Sequence, residues 1–167
     1  MTPKVLNYIT LNADKLTGKV LEVGSFNVNG GVRDIIEVHT GIDLRKGNGV
    51  DIVCKAEDII NYYPEGFFDS VVTTETLEHV EHWKEFLTAI NKVVKPDGWW
   101  VCSMASLRKG KHDYPNDYWR FTPEQIEQVF PSSTCVDLVT SIAWCWQNAK
   151  LDLTVEPSKV ADKVKRK

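Results

Sequence analysis

The chain has 167 residues, 43% of them apolar and 26% charged, with 20 basic against 23 acidic side chains; that is the balance of one ordinary globular domain. A domain of this length buries roughly 70% of the surface its unfolded chain exposes, so neither disulfides nor a structural metal is needed for stability. Its longest apolar runs, such as Trp99-Trp100-Val101-Cys102, are too short to span a bilayer.

The first residues lack the basic-then-apolar layout of a secretory signal, since Asn7, Asn12 and Asp14 interrupt any hydrophobic region. A cytoplasmic protein with no membrane partner is expected. Cys54, Cys102, Cys135 and Cys145 form no C-x-x-C pair and sit among apolar residues, which predicts reduced, packed thiols and excludes the common zinc and redox motifs. Residues 157–167 carry five basic groups and one acid, leaving the body at a charge of about −7. Nucleic acid is therefore not an expected partner. The sequence predicts one domain over 1–156 and a basic, disordered tail over 157–167.

In chain order, residues 3–13 read as a helix with Val5, Leu6 and Ile9 on one side, and 19–23 as a buried strand followed by a glycine-containing loop. Residues 30–38 look helical, 39–43 give a second strand ending in an acid, 50–54 a third, and 67–73 a fourth after the turn Pro64-Glu65-Gly66. The clearest helix is 82–94, whose Trp83, Phe86, Leu87, Ile90, Val93 and Val94 make one apolar stripe. Lys95-Pro96-Asp97-Gly98 ends it, and 98–104 is a strongly apolar fifth strand. A polar and aromatic loop over 105–121 leads to a helix capped by Thr122, with Pro123 in its first turn and Gln125 completing a capping box. Residues 134–140 and 151–155 read as closing strands. Trp144 and Trp146 are left in a connection, exposed and suited to an interface, with the oligomeric state open. The alternation predicts a Rossmann-like, doubly wound, mostly parallel sheet of about seven strands with helices on both faces.

Ligands of such sheets bind outside the carboxyl ends of the strands. Those ends are Glu22-Val23-Gly24-Ser25-Phe26-Asn27-Val28-Asn29-Gly30-Gly31, Asp43, Ala56-Glu57-Asp58 and Thr73-Thr74-Glu75. Over residues 18–130 the arrangement resembles the class I S-adenosylmethionine-dependent methyltransferases, in particular a small bacterial type-11-like branch. The resemblance implies that Glu22 and Gly24 close the first strand beside the cofactor's methionine part, with Ser25, Asn29 and Gly30 in the loop. It implies that Asp43, next to Leu44, accepts from the ribose hydroxyls, a task for a group that only accepts. Ala56 and Glu57 would lie beside adenine, and Thr74 and Glu75 at the end of the fourth strand. Where many relatives have G-x-G-x-G, this chain has Gly24, Phe26 and Val28.

The segment Lys111-His112-Asp113-Tyr114-Pro115-Asn116-Asp117-Tyr118-Trp119-Arg120 is expected over the pocket mouth. His112 and Tyr118 are then candidates to approach the methyl acceptor, Arg120 to bind an anionic or carbonyl group on it, and Tyr114 and Trp119 to wall the pocket. The alternative is that Tyr118 and Trp119 pack the loop while Arg120 pairs with Asp113 or Asp117. His112 or His79 is the candidate base if the acceptor carries a proton. His79 and His82, beside Glu75, Glu78 and Glu81, offer two nitrogens but no third ligand at diagnostic spacing, so no metal is expected. The functional expectation is methyl transfer from S-adenosylmethionine, by in-line displacement, to an unidentified small molecule or to one residue or sugar of a larger one. The alternative is a non-catalytic, cofactor-binding or scaffold protein of the same fold.

Overall fold

Burial of consecutive residues along the central strands gives the sheet two apolar faces. In the computed structural model, which describes residues 1–112 and 116–160, β1 (Val20–Val23), β2 (Thr40–Asp43), β3 (Ile52–Val53), β4 (Phe68–Thr74) and β5 (Val94–Ala105) run parallel. A two-residue strand, β6 (Trp119–Arg120), lies outside this sheet; β7 (Thr134–Asp137) and β8 (Ser141–Gln147) complete it antiparallel. The seven-stranded order is β3-β2-β1-β4-β5-β8-β7. Leu21, Val23, Val71, Trp100, Cys102 and Met104 pack in one apolar cluster, while their neighbours Val20, Val72 and Val101 pack in the other.

The first cluster is covered by α2 (Trp83–Val93) and α3 (Pro123–Val129), the second by α1 (Pro3–Leu11), so helices flank both faces as the sequence predicts. Thr2 caps α1, accepting from the Val5 amide. The capping box at α3 forms reciprocally, with Gln125 N donating to Thr122 Oγ1 at 3.1 Å and Thr122 N to Gln125 Oε1 at 2.9 Å.

Four expectations need correction. Residues 30–38 make only one 3-10 turn, Val32–Asp34. Gly30 sits at φ +89° and the Asp34 carboxylate turns back to accept from Gly31 N, which holds the segment in a tight turn before a helix can propagate. Lys95-Pro96-Asp97-Gly98 is no simple stop: Phe68 pairs with Val94 but Ser70 with Trp99, so these residues bulge from the ladder. The Asn148 amide holds the bulge, donating to the carbonyls of Asn91, Val94 and Lys95 and accepting from Trp100 Nε1. Residues 151–155 form no strand; the closing strand is β8, and its Trp144 and Trp146 are buried against Phe130 rather than exposed. Finally, β9 (Ser158–Lys159), inside the segment read as a tail, pairs antiparallel with β6. The rest of that segment, 161–167, lies outside the described residues. All four thiols are free, and no helix among the described residues is long and apolar enough to cross a membrane.

Candidate active site

A cavity of about 550 Å3 opens at the carboxyl ends of β1, β2, β3 and β4. Its wall includes Glu22, Gly24, Ser25, Asn29, Gly30, Asp43, Leu44, Ala56, Glu57, Thr74 and Glu75, together with His79 and Tyr118. Gly24 has φ +78°, and a Cβ there would lie 2.1 Å from Thr76 Oγ1, so the first turn tolerates no side chain. Gly24 N and Ser25 N both donate to Ile42 O, at 2.9 and 3.0 Å, tying the loop to β2.

The departure from a glycine-rich loop has a local solution. Phe26 packs over Gly47, where a Cβ would come within 2.0 Å of the ring, and the Arg45 guanidinium lies 4.5 Å from its centroid. Its backbone amide stays on the cavity side and donates to Asp43 Oδ2 at 3.3 Å, while Arg45 N donates to Asp43 Oδ1 at 2.9 Å. Each oxygen of Asp43 is thus oriented by one backbone amide and retains acceptor capacity. Ser25 Oγ is buried in the same wall with no hydrogen-bond partner.

Glu22 is buried beneath the loop, with Arg33 Nε 3.8 Å from its Oε2. Burial pushes its carboxyl up to about 7, with Arg33 opposing. The folded protein therefore holds this proton to higher pH than the unfolded chain, so stability falls as pH rises from about 4.5 to about 7, by on the order of 3 kcal/mol. Glu22→Gln is expected to flatten that part of the stability–pH profile in urea titrations at pH 5 and 7.5. An unchanged slope would reject the assignment.

Glu75 follows β4 in the left-handed region, φ 50°, a strained setting for a side-chain-bearing residue. Its carboxylate is held by Lys109 Nζ at 3.0 Å and Ser103 Oγ at 3.2 Å. The 3-10 turn Leu77–His79 follows, and Tyr118 N donates to Glu78 O at 2.8 Å, bringing the aromatic loop against it. His79 reaches the cavity, its Nδ1 hydrogen-bonded to Asn116 O; burial lowers its basicity and favours the neutral ring.

Two expected acceptor contacts lie elsewhere. Arg120 is buried and bidentate on Asp117, with Nη2 to Oδ2 at 2.6 Å, so its guanidinium is committed to the loop. His112 is not in the cavity wall; its ring packs edge-on against His79, centroids 4.9 Å apart. Trp119 is also outside this wall, donating from its indole to Val80 O at 2.9 Å. Tyr114 and Asp113 lie outside the described residues. The cavity further takes in Arg45, Lys55, Thr76 and Asn116, which sequence reasoning did not single out. Arg45 and Lys55 adjoin predicted strand ends, a signal for them; for Asn116, drawn in by His79, there was none.

Several solved structures share the fold. A methyltransferase of Burkholderia thailandensis acting at N1 of 1,6-didemethyltoxoflavin, solved with that compound and S-adenosylhomocysteine, has TM-score 0.63 and 16% identity over 89% of this chain and 77% of its own. A SAM-dependent methyltransferase from Archaeoglobus fulgidus has TM-score 0.65 and 13% identity, over 86% of this chain and 94% of its own. A Thermotoga maritima SAM-dependent methyltransferase, described as a possible histamine N-methyltransferase, has TM-score 0.65 and 12% identity, over 87% and 89%. No curated protein sequence matches the chain. In sequence, a family described as "Methyltransferase domain" matches residues 5–158, a span that takes in all seven strands of the main sheet and the whole cavity wall beyond Met1. The chain belongs to this methyltransferase-domain family.

Proposed function

We propose that the chain is an S-adenosylmethionine-dependent methyltransferase whose cofactor lies in the cavity at the ends of β1, β2, β3 and β4. The observation that carries this reading is Asp43, a carboxylate fixed by two backbone amides, facing a glycine turn that no side chain can enter. The residues fit the group: an acceptor-only carboxylate suits a ribose diol, and Gly24, at φ +78°, admits the methionine part close to backbone. Leu44 and Ala56 supply apolar surface for adenine, Glu57 a carboxylate at its edge, and Asn29 and Gly30 close the loop side.

When bound, the cofactor supplies an electrophilic sulfonium methyl group. The protein's part is to hold a nucleophile in line with it and exclude water. His79 and Tyr118 lie where the cavity meets the aromatic loop and form the acceptor side, with Thr74 and Glu75 of the same wall on the cofactor's side. A neutral His79 can take a proton from an acceptor that carries one. The acceptor in this reading is a small molecule, or one residue or sugar of a larger one, of a size that a cavity of about 550 Å3 shared with the cofactor admits. Arg120 is withdrawn as its anion-binding group and His112 as a direct contact.

Calorimetric titration of the purified protein tests the reading. S-adenosylmethionine and S-adenosylhomocysteine are expected to bind saturably at one site per chain and NAD not at all. Absence of binding by folded protein would reject it.

A further inference from the structure

The sequence offered two histidines, His79 and His82, and no third metal ligand. The fold brings in another histidine: Glu78, His79 and His112 each place a ligand atom within 4.8 Å of the others. His79 Nδ1 meets Asn116 O, and a carbonyl only accepts, so Nδ1 carries the proton and Nε2 keeps a free lone pair. At His112, Nδ1 lies 3.3 Å from Asp117 Oδ2 without a hydrogen bond, and Nε2 faces Glu78 Oε1 at 3.9 Å. Metal-binding imidazoles are commonly oriented as His79 is, one nitrogen tied to a carbonyl or carboxylate and the other presented to the ion.

Glu78 supplies the independent observation. Its side chain is fully buried; Oε1 accepts from Ala105 N at 3.1 Å, but Oε2 has no hydrogen-bond partner. A buried carboxylate oxygen left unpaired is costly, and a cation removes that cost. Asp117 is occupied by Arg120, and Glu75 by Lys109 and Ser103, so neither competes for the position.

We propose that Glu78, His79 and His112 form a binding site for one divalent transition-metal cation, ligated by Nε2 of both imidazoles and a carboxylate oxygen of Glu78. Two nitrogens and one oxygen favour Zn2+, Co2+, Fe2+ or Mn2+ over Mg2+ and Ca2+, which prefer oxygen ligands. Metal–ligand distances of about 2.0–2.2 Å require the three side chains to close inward by about an ångström. Three protein ligands leave positions for water or for an oxygen atom of the acceptor, and His79, shared with the cavity wall, joins the two sites. Metal binding stands apart from the methyl-transfer reading; its use on an acceptor oxygen rests on that reading, and there the ion, which takes up the Nε2 lone pair, replaces His79 as the group that acts on the acceptor's proton.

The test is a titration of chelator-stripped full-length protein with Co2+, followed by visible absorption, and with Zn2+, followed by calorimetry, both without cofactor. One ion per chain is expected, with at least tenfold weaker binding in His112→Ala and in Glu78→Gln and unchanged binding in His82→Ala. Circular dichroism and S-adenosylhomocysteine titration of each variant, without metal, report folding and the cofactor site separately. Binding well below one ion per chain, or full-strength binding by a folded His112→Ala protein, would overturn the proposal.

Discussion

Asp43→Ala is expected to weaken S-adenosylhomocysteine binding by at least about 100-fold while leaving the protein folded. The ribose diol donates two hydrogen bonds to this carboxylate in the proposed complex, and bonds to a charged acceptor contribute about 1.5–3 kcal/mol each, so their joint loss exceeds the roughly 2.7 kcal/mol that a hundredfold represents. The substitution also frees the amides of Phe26 and Arg45, which now converge on Asp43 from opposite oxygens. Because both amides sit in a cavity open to water, solvation limits the loss of stability, and a small fall in melting temperature is expected. Asp43→Asn separates the two effects. It keeps one acceptor oxygen but replaces the other with a donor, so affinity falls by about tenfold to a hundredfold. Unchanged affinity in Asp43→Ala, measured by calorimetry, would remove the residue from the site.

The part of the site built on strand ends was legible because it depends on local pattern. An apolar strand followed by glycine, and an apolar strand followed by an acid, place Gly24 and Asp43 before any tertiary contact is known. The same holds for α2 and for the capping box of α3, where periodicity and side-chain-to-backbone bonds operate within a few residues. Reading failed where a residue's partner is distant in sequence. In Ser141–Gln147, Ile142, Trp144 and Trp146 alternate as a strand should, but two tryptophans close together also read as an exposed patch. Only Phe130 and Trp100, packed against them, settle the matter. Phe26 is a substitution in the glycine loop that sequence alone makes look damaging; it is accommodated because Gly47, far along the chain, leaves room for its ring. His112 was assigned to the right loop and the wrong neighbour, since nothing in the sequence shows that this loop lies over Glu78 and His79.

Arg120→Ala is expected to destabilise the fold by about 3 kcal/mol or more, because it leaves Asp117 ionised, buried and without its cation. For a domain of this size that is a fall of about 6–12 °C in melting temperature. Burial alone would raise the Asp117 carboxyl, but the hydrogen bonds from Arg120 and from the His112 amide outweigh it and hold the group below its ordinary value. In the native protein the pair therefore contributes stability above the unfolded-state pKa, and that contribution is lost as pH falls through the lower folded value. Without Arg120 the sign reverses: burial raises the carboxyl, and the variant is penalised most at neutral pH. The stability gap between the native protein and Arg120→Ala is accordingly expected to narrow as pH falls from 7 toward 4. Adding Asp117→Asn should restore part of the loss at pH 7, since a neutral amide costs less to bury than an unpaired charge. The same experiment decides between two roles for the guanidinium. A group that binds an acceptor anion would, on removal, raise the acceptor KM and leave the melting temperature alone; a strut between β6 and the loop carrying His112 lowers the melting temperature first. Arg120 donates to Asp117 and Asp117 accepts from His112 N, so loosening the strut also releases His112 from Glu78 and His79. A melting temperature unchanged by Arg120→Ala would reject the strut and return the residue to the acceptor.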